Sequence, residues 1–413
     1  TPLRSINGYA ALLTEEFGAG LPPEARAHLE RIRSSASRMG QLITDLLTRD
    51  MPGKVAEETI DRCKSTLGPG FAHEMFQAQI EVASPIFTGL DQAREYLLNA
   101  RGALRHALRG FDLGLISAGT HPLADGRRQR PTEQPHYRQL FEDFQHVAQR
   151  SVLSGLHVHV EIPQALDRIR VMNEVLPWTP LLLALSSSSP FWQGEDSGFC
   201  SYRQAACDEW PRMGIPEFFA DQQAYESYVS FLQASGSIQS ASDCWWGVRP
   251  SAKFPTLELR MTDACPRLED ALCLASLFRI MVTQAIEHPE RGSAYNEQSR
   301  WLLMENRWRA KRFGLQARFL IAGVDQSISL DQWLSRAQLT FGKTAQALGV
   351  GDVFSNARRT LEGGSSAERQ REVYRQQRNS GRAPREALCA VVDHLLLETG
   401  ATVDLACAVK QSG

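Results

Sequence analysis

Apolar positions along the chain follow two periods. Through the first fifty residues the period is helical: Leu3, Ile6, Ala10, Leu13 and Phe17 recur at three- and four-residue steps. After a break at residues 18–23, Leu29, Ile32, Ala36, Met39, Ile43 and Leu46 do the same. Such positions share one helix face, so the segment predicts a two-helix hairpin with an apolar seam on each helix. A lone hairpin cannot bury both seams, which predicts a homo-oligomer joined through residues 1–48. Helical spacing returns over 90–108, 222–234, 268–287, 296–313 and 386–399. Short runs at 76–82, 113–118, 156–161, 245–249 and 256–262 read as strands. No regular strand–helix–strand alternation appears, so a doubly wound sheet is disfavoured. An α+β class is predicted, with helices packed on the outer face of a mainly antiparallel sheet. Residues 186–198, opened by four serines, predict a long loop. The polar, Arg- and Gln-rich stretch 363–385 predicts a partly mobile one.

Three of the strand runs carry one polar face each. Residues two apart in a strand point the same way. Gln77, Gln79 and Glu81 alternate with Ala78, Ile80 and Val82; His157, His159 and Glu161 alternate with Leu156, Val158 and Val160. Thr256, Glu258 and Arg260 alternate with Leu257, Leu259 and Met261. A solvated sheet face would explain the alternation, but such faces favour Lys, Thr and Ser. Glu, His and Arg are ligands of metals and phosphates, which favours a functional basin equally. His157-x-His159 with Glu161 allows a transition-metal site. Carboxylates beside a His and an Arg suit Mg²⁺ with phosphates better.

Charge narrows the field of partners. Lys and Arg number 45 against 47 Asp and Glu, a net charge of −2, so no basic field points to nucleic acid or an anionic membrane. The apolar runs are too short or too interrupted by charge to span a bilayer. No basic segment followed by an apolar run opens the chain as a leader would. Eight cysteines in 413 residues, none in Cys-x-x-Cys, argue against a disulfide framework or zinc ribbon. A cytoplasmic, reduced protein is expected.

Two resemblances follow from the motifs. Residues 1–6, Thr-Pro-Leu-Arg-Ser-Ile, and residues 38–47, Arg-Met-Gly-Gln-Leu-Ile-Thr-Asp-Leu-Leu, resemble the two ends of the dimerisation hairpin of sensor histidine kinases, just after its phospho-accepting histidine. From about residue 68 onward the chain resembles the carboxylate–amine ligases of the glutamate–cysteine ligase type 2 family. The matching segments are His73–Val82, Ala118–Pro122 (Ala-Gly-Thr-His-Pro), Ser154–Val160 (Ser-Gly-Leu-His-Val-His-Val), residues 183–192 with 201–203, Trp246–Pro250 with Thr256–Arg260, and Glu305–Ala310. They imply a hairpin domain over 1–50 and a ligase domain over 51–413.

The second resemblance implies the glutamine synthetase/guanido kinase-like catalytic fold, a curved antiparallel sheet. It also implies an ATP-dependent reaction joining the side-chain carboxylate of glutamate to an amine such as that of cysteine. By similarity, Glu74, Glu81, His157 and Glu258 would hold Mg²⁺ or Mn²⁺. Arg260 and Arg307 would be catalytic, and His159, Arg203 and Asn306 would bind ATP or substrate. The family opens with a strand bearing Gly-x-Glu-x-Glu, and the sequence shows the hairpin in its place. A catalytically impaired relative serving as an oligomeric binding protein, and a two-component sensor fragment, are the alternative readings.

Overall fold

The computed structural model describes residues 39–48, 57–289 and 295–411, with side chains over 57–289 and 295–401. Seven strands form one antiparallel sheet: β1 (Met39–Thr48), β2 (Phe71–His73), β3 (Gln79–Ala83), β4 (Leu115–Ile116), β5 (Gly155–Glu161), β6 (Val248–Pro250) and β7 (Thr256–Asp263). Their order is β2-β3-β1-β5-β7-β6, with β4 also pairing with β1. The α+β prediction is met.

Residues 39–48 correct one expectation. The spacing of Met39, Ile43 and Leu46 places them at the end of a second helix, yet the segment is strand β1, paired on both sides. Asp45 stands opposite Glu81, and Ile43 opposite His157. The cause is tertiary. Without β1, both β3 and β5 would expose a row of unpaired N–H and C=O groups, and pairing overrides a local helical pattern in a run rich in Leu, Ile and Thr. The sheet position that lacked a strand in the sequence reading is thus filled. The expected domain boundary at residue 50 falls just after a strand of the sheet. The first helix of the hairpin, and with it most of the oligomer seam, lies outside the described residues.

One face of the sheet is the core. Leu156, Val158 and Val160 of β5 and Leu257, Leu259 and Met261 of β7 are fully buried. Above them lie the helices Thr179–Ser186 and Leu268–Glu287. The second is buried at every position from Ala271 to Ala285, and apolar residues nearly all round mark a core helix. Truncating one of these side chains to Ala would cost ~2–5 kcal/mol.

Helices Leu90–Arg109, Gln222–Ala234, Glu297–Phe313 and Pro384–Gln411 stand where the spacing puts them. One loop expectation holds and one fails. Beyond Ser186, the last residue of a helix, residues 187–198 are irregular but for the strand pair 191–192 with 195–196, and Ser187 to Ser189 are buried. The Arg- and Gln-rich stretch holds helix Ser366–Asn379, started by a Ser365/Glu368 capping box and docked on Pro384–Gln411.

Candidate active site

The other face of the sheet floors a cavity of about 740 Å³. β3 supplies Glu81, β5 supplies His157 and His159, β6 supplies Arg249, and β7 supplies Glu258 and Arg260. Period-two alternation in four strands thus brings these groups to one place. Glu74 joins them from the turn between β2 and β3 rather than from a strand, and Arg203 from helix Tyr202–Cys207. Trp210, Met213 and Trp245 add an apolar lining, and the β6–β7 hairpin tip adds Lys253 and Phe254. That tip is closed by Ser251 N–H donating to Thr256 O at 2.9 Å. Phe254 stands edge-on to His159 at 6.0 Å.

Glu258 is the electrostatic centre. It is 3% exposed, accepts from Arg249 Nε at 2.8 Å and from Arg260 Nη1 at 2.5 Å, and lies 3.7 Å from His159 Nε2. Burial alone would raise its pKa, but Arg260 and Arg249 outweigh burial and hold the carboxyl well below the usual range. Burial lowers both histidines, Arg260 adds to the effect, and Glu258 only partly opposes it. Both imidazoles are therefore neutral at pH 7, and His159 Nδ1 shares a 3.0 Å hydrogen bond with Thr256 Oγ1.

A β-bulge aims the arginine. Between Leu156↔Thr262 and Val158↔Leu259 one residue of β5, His157, faces two of β7, Arg260 and Met261. On the other side both of their N–H groups donate to Gly247 O, at 2.7 and 3.0 Å. The extra residue twists the strand locally. Gly247 leaves room for Met261, whose Cε would lie 2.7 Å from a Cβ and would have to move aside. Gly155 makes room in the same way for the Arg203 guanidinium, whose Nη2 would lie 2.2 Å from a Cβ. Arg203 donates to the main-chain oxygens of Arg260 and Thr262, and its Nε has no partner among the described residues. The guanidinium charge also acts on the buried Asp263 carboxyl, whose pKa burial raises and Arg203 opposes. Behind it, Asp263 accepts from Ser188 N, Ser189 Oγ and Ser201 Oγ, which fixes the serine run to the end of β7.

Two expected site residues lie elsewhere. Asn306 brackets the backbone of Leu320, donating to its O at 2.7 Å and accepting from its N at 2.8 Å. Arg307 donates to Asp208 at 2.6 Å and Gln204 at 2.9 Å, which ties helix Glu297–Phe313 to helix Tyr202–Cys207. Neither lines the cavity. Asn306 is bonded on both sides to Leu320, while Arg307 uses Nη2 for Gln204 and Asp208 and keeps an Nε with no partner among the described residues. Glu161 does not line the cavity either, and His157–His159–Glu161 makes no metal triad.

Among the described residues no three His, Cys, Asp or Glu side chains stand close enough to share an ion. Glu258, engaged by two arginines, is an anchor for them. Glu74 and Glu81 also line the cavity with carboxylate oxygens, and Asp45 stands across the ladder from Glu81. Mg²⁺ is commonly held by one or two carboxylates together with substrate phosphates. The residues fit an ion that arrives with a nucleotide and not an all-protein cage. The sequence reading missed Arg249, although it sits between Val248 and Pro250 in a run that alternates like the other strands. It also left Trp245 without a role.

The comparisons with known proteins agree with this architecture. The model of glutamate–cysteine ligase family 2 matches residues 42–392, beginning inside β1. The histidine kinase A (phospho-acceptor) domain model matches residues 1–52. A Pseudomonas fluorescens protein with the provisional name glutamate–cysteine ligase 2 is 55% identical over 359 residues, 87% of this chain and 92% of that one. One from Ectopseudomonas mendocina with the same provisional name is 46% identical, covering 86% and 94%. Among solved structures, a Francisella tularensis glutamate–cysteine ligase in complex with AMP is similar in fold, with a TM-score of 0.62, 13% identity and coverage of 90% of this chain and 95% of that one. A bifunctional glutathione synthetase from Pasteurella multocida gives a TM-score of 0.64 at 12% identity; the match covers 91% of this chain and 54% of that longer one. With the family's strands in order around one polar cavity, the chain belongs to glutamate–cysteine ligase family 2.

Proposed function

We propose that the cavity joins the side-chain carboxylate of glutamate to the amine of an amino acid such as cysteine, at the expense of ATP. The observation that supports this most is the meeting of Glu81, Glu258 and Arg260 with neutral His157 on one concave face, beside the guanidinium of Arg203. A carboxylate is a poor acylating agent. In the proposed reaction one of its oxygens attacks the γ-phosphorus of ATP, and the bond to ADP breaks. The amine then attacks the acyl carbon, phosphate leaves, and the ammonium proton is released. Such transfer needs positioning and charge neutralisation rather than a protein nucleophile.

In this reading Arg260, oriented by Glu258, faces the transferred phosphoryl oxygens. Arg203 clamps a phosphate or the substrate α-carboxylate, and Trp245 with Trp210 forms the slot for the adenine or an apolar side chain. Glu74 and Glu81 would hold Mg²⁺ or Mn²⁺, which supplies charge neutralisation to the phosphates when bound. Asp45, at its register position opposite Glu81, is the candidate for the carboxylate that the family's opening strand contributes. The described cysteines are unpaired and no described helix is long and apolar enough to cross a membrane, which suits a reducing, cytoplasmic setting.

The test is ADP release with glutamate and a panel of amino-acid amines, with and without Mg²⁺. The proposal expects release only when ATP, acid and amine are all present, and its loss in Arg260→Ala. Release that ignores glutamate, or none with any amine, would reject it. Asp45→Asn should weaken Mg·ATP binding measured by calorimetry if β1 contributes a carboxylate.

A further inference from the structure

The helices on the core side of the sheet enclose a second cavity, of about 510 Å³. None of its lining residues lines the first. Its size suits a small molecule. The walls are mostly apolar. Met281 comes from helix Leu268–Glu287, Leu303 from helix Glu297–Phe313, and Trp333 and Phe341 from helix Leu330–Ala347. Trp178 completes an aromatic group, its ring 4.9 Å from that of Phe341 and 6.2 Å from that of Trp333. Asn306 belongs to the same wall, and its two bonds to Leu320 fix the edge formed by residues 320–322. A motif residue that the first cavity does not use thus helps to build the second.

Three features define the occupant. The aromatic group offers faces and edges to a flat ring. Asn173 supplies an acceptor: it lines the cavity and is 3% exposed, its Nδ2 donates to Phe219 O at 2.9 Å, and its Oδ1 has no partner among the described residues. A buried acceptor left unpaired is costly, and a donor on a ligand relieves that cost. The two charged residues of the lining are unequal. Glu174 pairs with Arg170 at 2.5 Å, whereas no hydrogen bond or ion pair engages the Arg336 guanidinium among the described residues. One positive charge is therefore left to complement an anion. From these features we infer that the cavity is a binding site for an aromatic carboxylate whose ring carries an N–H or O–H. The ring lies among Trp178, Trp333 and Phe341, the ring donor meets Asn173 Oδ1, and the carboxylate meets Arg336.

Calorimetry of the full chain with indole-3-propionate tests the inference, because that probe carries the ring, the N–H and the carboxylate. It is expected to bind once per chain. Its benzothiophene analogue lacks the N–H and leaves Asn173 Oδ1 unpaired, so it should bind weaker by about fivefold or more. Arg336→Gln should weaken the indole probe by about fivefold, the scale of an exposed charge pair, with an unchanged thermal melt. Thr340→Trp fills the cavity from an exposed helix position and should abolish binding. A wild type that does not bind the probe overturns the inference, as does equal affinity for the two probes. Wild-type affinity in both variants also overturns it, since the probe would then sit elsewhere, such as between Trp210 and Trp245 in the first cavity.

Discussion

Replacing Glu258 by Gln isolates the charge that organises the cavity. The variant keeps the shape and one acceptor oxygen, but leaves Arg249 and Arg260 side by side without their anion. Glu258 is 3% exposed as a side chain, Arg249 13% and Arg260 21%, so water can relieve little of that repulsion. Removing one member of a buried ion pair costs ~3–5 kcal/mol. Because Arg260 borders the open cavity, the lower end applies, about 3 kcal/mol. At ~2 °C per kcal/mol for a domain of this size, the midpoint of thermal unfolding should fall by about 6 °C.

The pH profile should change as well. The native carboxyl titrates below its unfolded value of ~4.3, so under that pH the unfolded state binds the extra proton. Stability from Glu258 is therefore full above ~4.3 and is lost as pH falls from there toward the native pKa, a component the Gln variant lacks. Adding Arg249→Met should recover part of the loss, because it removes one stranded cation. Calorimetric melts of the wild type, both single variants and the double variant make the measurement. A midpoint unmoved by Glu258→Gln, or strictly additive losses in the double variant, would refute the pairing.

Other outcomes follow from the same geometry. His157 is held neutral below its unfolded pKa of ~6.5, so its contribution is present above that pH and declines as pH falls beneath it. Melts at pH 7.5 and pH 5.5 should differ more in the wild type than in His157→Gln, and equal differences would contradict the burial argument. Asn306→Ala should cost about 2 kcal/mol for two lost hydrogen bonds. Its KM for ATP and glutamate should stay unchanged; a several-fold rise in KM with intact stability would return Asn306 to the binding site.

The basin was legible because its residues obey the strict two-residue period of strands. Glu81, His157, His159, Glu258 and Arg260 could be assigned to one face from spacing alone. Strand β1 was not legible. Its run of Leu, Ile and Thr satisfies a helical spacing, and only the vacant place between β3 and β5 decides for a strand. The serines at 186–189 read as a solvated loop, yet all four are buried: Ser189 Oγ donates to the Asp263 carboxylate, Ser186 Oγ accepts from the Asp263 N–H, and Ser188 Oγ donates to Ala264 O. Asn306 and Arg307 were drawn into the site by their motif. A motif does not reveal that Asn306 is bonded to Leu320 and Arg307 to Gln204 and Asp208. Helix Ser366–Asn379 is polar enough to pass for a mobile segment, and its dock on the last helix is a tertiary fact.

Activation of the carboxylate as its acyl phosphate, a mixed anhydride, is the step on which the proposed function turns. It is tested most directly with glutamate carrying oxygen-18 in its side-chain carboxylate. In the presence of Mg·ATP and an accepted amine, the account predicts that the released phosphate carries one labelled oxygen per turnover and that ADP is the nucleotide product. Unlabelled phosphate, or cleavage of ATP to AMP and pyrophosphate, would contradict it.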